Sequence, residues 1–180
     1  MNNSTTSTTP TYPGDDERHR RRILATIARR SFCVVATTSS AGRPHAAGVV
    51  YDHHAERLWF HTRTDSRKGR NLAANPWAAV TIPFRRLPAG PPFTIHFQAR
   101  AELLALNAPD VTAAIDAGAL KGISGHGALD MPGSCFVRLA PVGSIHSYGP
   151  GARTLDLIRD PLNHGAASFP VAATAAGGRS

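Results

Sequence analysis

The segment HTRTDSRKGRNLAANP, residues 61–76, places hydroxyl and cationic side chains where a turn leads into a helix. The first turn of a helix leaves backbone N–H groups without partners and carries the positive end of the dipole, so it attracts anions. Ser66 adds a hydroxyl donor, Arg67 a planar guanidinium and Lys68 a point charge, and Thr62 adds a second hydroxyl. These groups indicate a phosphate site. The alternative is a solvated basic helix face, which charge runs usually form.

Histidines are the second group of residues that could do chemistry, because imidazole titrates near neutral pH. His53 and His54 fall in a predicted turn, where exposure to solvent explains them. No HExxH, no paired CxxC and no regular ligand spacing connects the histidines, so no metal site is predicted. Four residues on predicted strands are candidate acid–base groups: His45, His61, His146 and Tyr148.

The glycine-rich segment GISGHG, residues 122–127, has neither the GxGxxG nor the P-loop pattern. No strand-to-helix context follows it. We therefore interpret it as a flexible connection or a lid rather than a phosphate loop.

Composition indicates one soluble domain, since 42% of the 180 residues are hydrophobic and can form a core. No run approaches the ~20 apolar residues of a membrane span, and the N-terminal segment lacks the apolar run of a secretory signal, so we expect a cytoplasmic protein. Cys33 and Cys135 lie in apolar runs and are predicted to be buried thiols. Part of the net charge of +8 comes from one arginine-rich helix, which favours a solvated face over a nucleic-acid site.

The elements that must position these residues follow from the apolar periodicity. Helices are predicted over residues 15–30, from an N-cap at Asp65 or Ser66 to Pro76, and from Asn107 or Asp110 to Gly118. Six strands are predicted, over residues 31–38, 45–51, 57–62, 77–83, 93–104 and 135–148, the last with a bend near Pro141 and Gly143. Short connections between mostly antiparallel strands indicate a mainly β (α+β) fold, a six-stranded antiparallel split β-barrel with peripheral helices.

From Phe32 to Ile82, the sequence FCVVATTSSAGRPHAAGVVY…LWFHTRTDSRKGRNLAANPWAAVTI resembles the pyridoxamine 5'-phosphate oxidase-like, FMN-binding split-barrel superfamily. A looser resemblance continues to Tyr148. The order of strand, GRPH turn, two strands, SRK..NL..NP helix and strand is that of the family. The resemblance implies an FMN-binding domain over residues 15–160, while composition predicts a disordered tail at 1–14 and a flexible tail at 161–180.

The same resemblance assigns roles to residues of this chain. Arg67 and Lys68, with Ser66, hold the flavin phosphate, while His61 and Thr62 lie along the ribityl chain and ring. Gln98, on the long strand after the proline-rich loop, completes the pocket. The edge on which the isoalloxazine ring rests consists of Ala46, Ala47, Gly48, Val49, Val50 and Tyr51.

The resemblance also implies a homodimer with FMN at the subunit interface, and an oxidoreductase that transfers hydride between flavin and a nicotinamide or small organic substrate. The B6 oxidase itself carries an arginine and a lysine in the strand that corresponds to residues 46–51, and a tryptophan and arginine cluster near its end. This chain has neither, so B6 oxidation is not predicted. The alternatives are a reductase that uses the deazaflavin coenzyme F-420, a non-catalytic flavin or haem carrier, and, ranked last, a nucleic-acid-binding protein.

Overall fold

The structure of the protein, a computed structural model, describes residues 16–85, 93–125, 127–149 and 166–171. The helices are α1 Asp16–Arg29, α2 Arg67–Ala74 and α3 Pro109–Asp116. The strands are β1 Phe32–Thr38, β2 Pro44–Val50, β3 Asp52–His54, β4 Arg57–Arg63, β5 Trp77–Phe84, β6 Phe93–Ala105, β7 Ser134–Tyr148 and β8 Ala166–Pro170. The tail predicted at residues 1–14 lies outside the described residues.

The described strands form one antiparallel sheet in the order β2–β1–β5–β6–β7–β4–β3, with β8 paired to β7. One edge of β7 pairs with β6, and its other edge pairs first with β4 and then with β8. The sheet curls so that β2 and β4 approach each other without pairing. The predicted split barrel with peripheral helices is confirmed, and its open seam lies between β2 and β4. The described part of the chain has eight strands rather than the predicted six.

Strand β3 is one of the two additional strands. The sequence predicts a turn at residues 52–56, but Asp52–His54 pair with the start of β4. The connection needs only Ala55 and Glu56, whose φ angles of 49° and 58° are those of a two-residue hairpin turn. Neither residue is the glycine or asparagine typical of such a turn, so the sequence does not predict this hairpin. His53 and His54 are consequently half-buried rather than exposed, and burial lowers the pKa of His53.

Strand β8 is the other addition, and it lies within the predicted flexible tail at 161–180. It pairs with the last residues of β7, where β4 no longer covers that edge. Phe169 packs into the main core, and its ring meets that of His19 on α1 edge-on. Residues 166–170 are therefore a strand rather than a flexible tail, because the uncovered edge of β7 offers backbone hydrogen-bond partners.

Two hydrophobic cores hold these elements in place. The main core fills the barrel and includes Ile23 and Ile27 of α1, at the helical spacing that predicted their burial. Cys33 and Cys135 are buried as predicted, and burial raises the pKa of the Cys33 thiol to about 12. A second core lies under α3 and contains Trp59, Val111, Ala114, Leu120, Ile123 and Phe136.

The segment that follows α3 is anchored to β3 through Asp52. Oδ2 of Asp52 accepts hydrogen bonds from the backbone N–H groups of Gly122 and Ile123, at 2.8 and 3.2 Å. The first part of GISGHG is therefore a fixed connection rather than a lid, and His126 lies outside the described residues. The longest described helix, α1, has 14 residues, and no described helix is long and apolar enough to cross a membrane.

Candidate functional site

The start of α2 holds two hydrogen-bonded hydroxyl groups. Ser66 is the N-cap, and its Oγ accepts a hydrogen bond from the Gly69 N–H at 3.0 Å. Oγ of Ser66 is also 3.1 Å from Oγ1 of Thr62 on β4. One hydroxyl hydrogen is used between the two side chains, so the other can be donated to a ligand. The site thus combines a hydroxyl donor with the open N–H groups of the first helical turn.

The four basic side chains around this turn differ in their partners. Arg63 forms a two-point ion pair with Asp65, with N–O distances of 2.8 and 2.5 Å. Arg70 donates to the backbone carbonyl oxygen of Asp65. Arg67 and Lys68 have no ion-pair or hydrogen-bond partner in the described part of the chain. Arg70 keeps its charge but uses an N–H group on this carbonyl, so the two cations assigned to a phosphate by resemblance are the two of the four whose N–H groups are all available.

Two contacts fix α2 against the barrel. The backbone of Gly69 packs so tightly that a Cβ atom would lie 2.3 Å from the carbonyl oxygen of Arg63. Nδ2 of buried Asn71 donates to Oγ1 of Thr37 at 2.9 Å, and that hydroxyl donates to the carbonyl oxygen of His45 at 3.4 Å. Asn71 and Thr37 thus connect α2 to β1 and β2. The sequence analysis did not predict a role for either residue. The one available signal was Asn71 itself, a neutral polar residue in an otherwise basic and apolar helix.

The edge of β2 forms the second part of the candidate site. Among the described strands β2 pairs only with β1, so its other backbone edge has no strand partner. Ala47 and Val49 alternate toward the barrel interior, while Ala46, Gly48 and Val50 lie on the outer face. The outer surface of β2 carries no charge, so a flat apolar ring could rest there.

Tyr51 does not contribute its side chain to this surface. Its ring is fully buried, and its hydroxyl donates to the carbonyl oxygen of Ile27 at 2.7 Å. Its N–H donates to the carbonyl oxygen of Ser31 at 2.8 Å, and burial raises the pKa of its hydroxyl. The Tyr51 side chain therefore belongs to the core, where α1 holds its hydroxyl, and the place of this residue on the cofactor edge stays a prediction.

Gln98 of β6 is exposed on the same outer face as Ala46. The strand register connects Ala46, Ala36, Ala79 and Gln98 in one cross-strand row. Three strand spacings place Gln98 about 14 Å from Ala46 across the sheet. The small side chains between them leave a flat floor that an aromatic ring system can cover.

The four acid–base candidates do not form one cluster within the chain. His61 of β4 is the register partner of Phe136, and their rings meet edge-on at 5.6 Å. His146 lies ten residues farther along β7, about 33 Å away if the strand is extended. It stacks on His96 at 5.3 Å, and Tyr148 lies opposite Thr94. Only His45 and His61 lie on the two strands that border the seam, so His146 and Tyr148 do not border the same pocket within one chain.

Metal-binding side chains do not converge in the described residues, where no group of three histidine, cysteine, aspartate or glutamate side chains could hold an ion. The donor set at α2 consists of hydroxyl, guanidinium and ammonium groups. That chemistry fits a phosphate.

Residues 20–124, more than half of the chain, match the sequence model of the pyridoxamine 5'-phosphate oxidase family. The chain belongs to this family. The matched segment contains α2, the β2 edge and Gln98. A curated family relative, the pyridoxine/pyridoxamine 5'-phosphate oxidase of Streptomyces avermitilis, is 40% identical over 52 residues. This segment is 28% of the present chain but only 23% of that relative's length.

Solved structures show the same fold in proteins that are named for different ligands. A heme binding protein from Mycobacterium smegmatis superposes with a TM-score of 0.64 and 18% identity, over 89% of this chain and 60% of that one. A pyridoxamine 5'-phosphate oxidase-related, FMN binding protein from Nostoc punctiforme superposes with a TM-score of 0.51 and 17% identity, over 91% and 98% of the two chains. At such identities the similarity establishes the fold alone. Among these structural neighbours, the same fold occurs in a protein named for FMN binding and in one named for heme binding.

Proposed function

We propose that the protein is a flavin-dependent oxidoreductase that binds FMN through its phosphate at the start of α2. The observation that carries the proposal is the contrast between neighbouring cations: Asp65 neutralises Arg63, while Arg67 and Lys68 keep available charges. A dianionic phosphate would be bound by these two side chains, by the Ser66 hydroxyl and by the N–H groups of the helix.

The rest of the flavin would lie along the seam and the outer face of β2. Thr62 and His61 of β4 would border the ribityl chain, and backbone groups from Ala46 to Val50 would face the ring. Gln98 would close the pocket with its amide. Bound FMN supplies the hydride chemistry, while the chain binds the phosphate, orients the ring and limits access of water.

We infer that the substrate is a nicotinamide or another small organic molecule rather than a B6 phosphate. The outward residues Ala46, Gly48 and Val50 offer no cation to a second phosphate. The curated relatives named as B6 oxidases support the flavin assignment only over the short segment that they share with this chain.

The absorption spectrum of the purified protein tests the choice of cofactor. We expect the two bands of an oxidised flavin. A single deazaflavin band would transfer the same phosphate site to coenzyme F-420, and a Soret band without flavin would contradict the proposal in favour of a haem carrier. Reduction of the bound flavin by NADH or NADPH, followed in a stopped-flow instrument without oxygen, tests catalysis. If neither nucleotide reduced the flavin, a nicotinamide substrate would be contradicted.

The phosphate contact predicts that the double variant Arg67→Ala/Lys68→Ala binds FMN at least roughly tenfold more weakly, because each charge-assisted bond contributes about 1.5–3 kcal/mol. Riboflavin lacks the phosphate, so the variant should bind it as the unsubstituted protein does. Quenching of flavin fluorescence measures both affinities.

The matched control is Arg21→Ala/Arg22→Ala, which removes the same charge from the exposed face of α1. We expect this control to keep its FMN affinity at physiological ionic strength. Equal losses in both double variants would contradict a specific phosphate site and indicate a general effect of net charge.

We also infer a homodimer in which the outer face of β1, β2 and β5 packs against a second copy. Phe32, Val50 and Trp77 are exposed on this face beside the candidate flavin edge. A partner would cover these side chains and close the side of the pocket that one chain leaves open.

A further inference from the structure

A cavity of about 490 Å³ opens on the outer face of the sheet, across β4, β6 and β7. Its floor is the middle of β6 and β7, and one wall is formed by Arg57 and Trp59 of β4. The volume is within the range of small-molecule sites. Arg57 precedes Arg63 by six residues, or about 20 Å along the strand, so this cavity is separate from the candidate phosphate site.

Three arginine side chains line the cavity together with one carboxylate, that of Glu102. Arg138 donates to Glu102 and to Asp110, each at 2.6 Å, so its charge is already compensated. The guanidinium of Arg100 lies 5.0 Å over the ring of Trp77 and has no carboxylate partner among the described side chains. Arg100 therefore presents a positive charge to the cavity, while Glu102 disfavours ligands with several negative charges.

The wall formed by Trp59 adds a flat apolar surface. The Arg138 guanidinium lies 5.3 Å over the Trp59 ring, which fixes both side chains. Nε1 of Trp59 is buried, and no described residue accepts its hydrogen. Because this nitrogen is inaccessible, the Trp59 N–H is not a contact for a ligand in the cavity. The small side chains of Ala101 and Ala140 leave the space in which such a ligand would lie.

We propose that this cavity binds a small, flat organic monocarboxylate of about the size of benzoate. Arg100 binds the carboxylate through two N–H groups, and the planar body of the ligand packs between the alanine side chains and Trp59. A neutral molecule of the same shape lacks the charge-assisted hydrogen bonds, and a phosphate is repelled by Glu102.

Titration of the ¹⁵N-labelled full chain with benzoate and with benzamide tests the proposal by NMR. The chain has two tryptophans: Trp59 lines the cavity, and Trp77 lies under the Arg100 guanidinium, so their two indole N–H signals report on the two sides of the proposed contact. The variant Trp77→Phe assigns them. We expect benzoate to shift the Trp59 signal to saturation and benzamide to bind at least roughly tenfold more weakly.

Variants of Arg100 test the role of its charge, and a variant of Ala140 tests the role of the cavity volume. Arg100→Gln should weaken benzoate binding at least roughly tenfold, and Arg100→Lys should restore part of it, because lysine keeps the charge without the planar fork. Ala140→Leu keeps every charge but fills the cavity, so it should abolish binding. Arg43→Gln, which removes one charge from the exposed β1–β2 turn, is the matched control and should bind benzoate normally.

Three results would overturn the proposal: equal affinities for benzoate and benzamide, unchanged binding in Arg100→Gln, or a changed molecular mass in Ala140→Leu, which would make the cavity an interface between copies. FMN affinity should be unchanged in Ala140→Leu, since Ala140 lies on β7 and is not part of the candidate flavin site. Failure of this proposal therefore differs measurably from failure of the flavin proposal.

Discussion

Gly69 shows how closely the candidate phosphate site depends on single atoms. Its position three residues after the N-cap lets its N–H bond to Ser66 Oγ while its Cα passes against the carbonyl oxygens of Arg63 and Thr64. A Cβ atom would lie 2.3 and 2.8 Å from these two backbone oxygens, which cannot rotate away as a side chain can. The geometry that holds the Ser66 and Thr62 hydroxyls together therefore requires glycine.

Gly69→Ala should lower the free energy of unfolding by about 1–3 kcal/mol, because the added methyl group overpacks the start of α2. It should also weaken FMN binding, since relief of the clash displaces the helix from Thr62. Urea unfolding followed by circular dichroism measures the first effect, and flavin titration the second.

Gly125→Ala is the matched control, because its Cβ would meet nothing closer than the Lys121 carbonyl oxygen at 4.0 Å. Its unfolding midpoint and FMN affinity should stay near those of the unsubstituted protein. If Gly69→Ala behaved like this control, the tight packing at the helix start would be disproved.

Among the elements, the β3–β4 hairpin is stabilised by its surroundings rather than by its turn. Ala55 and Glu56 both adopt positive φ angles, which cost L-residues with side chains free energy. The hairpin forms because Asp52 holds the segment after α3, and because Leu58 and Trp59 pack into the two cores. Packing therefore outweighs an unfavourable turn sequence.

Glu56→Gly should raise the free energy of unfolding by about 1 kcal/mol, because glycine adopts the φ of 58° without steric cost. Thermal unfolding measured by calorimetry should show a higher Tm. Glu56→Gln keeps the Cβ atom, which causes the steric cost, and removes only the charge, so it should leave Tm nearly unchanged. An equal rise of Tm in both variants would attribute the effect to charge and refute the turn argument.

The same hairpin shows what the sequence could predict of the fold. Strong periodicity and turn signals predicted the three helices, six of the strands and the bend near Gly143, whose φ is 75°. The sequence missed β3 because its turn lacks glycine and asparagine. It missed β8 because that strand is held by the uncovered edge of β7 rather than by strong alternation of its own.

For the candidate site, local sequence predicted a helix N-cap at Asp65 or Ser66 and a phosphate site that uses the Ser66 and Thr62 hydroxyls, but it did not predict the hydrogen bond between these two side chains. Relations between distant strands were harder to predict. His61 and His146 both lie on strands, yet His61 of β4 pairs with Phe136 near the start of β7, whereas His146 lies near the end of β7, a separation that only the register decides. Burial of Tyr51 depends on α1, which no pattern in residues 46–51 reveals.

At the scale of the whole molecule, one face of the sheet carries more exposed apolar surface than a solvated face requires. Phe32, Val50 and Trp77 are 48%, 55% and 44% exposed, and Phe32 and Val50 are register partners. Phe32 and Val50 adjoin the β2 edge, where the flavin ring is proposed to rest, and Trp77 lies two strands away on β5. A second copy that covers them would bury apolar surface and complete the cofactor pocket at once.

Val50→Glu should therefore convert a dimer, with twice the chain mass of 19.1 kDa, into a monomer. A carboxylate desolvated at the centre of an apolar interface should raise the dissociation constant at least roughly hundredfold, equivalent to about 3 kcal/mol. Light scattering after size-exclusion chromatography measures the mass, and FMN affinity should fall with dissociation because the partner closes the pocket. Leu129→Glu places the same charge at an exposed apolar position of the 128–130 turn, away from this face, and should remain dimeric. A monomeric unsubstituted protein, or a Val50→Glu variant with the mass of two chains, would contradict this interface.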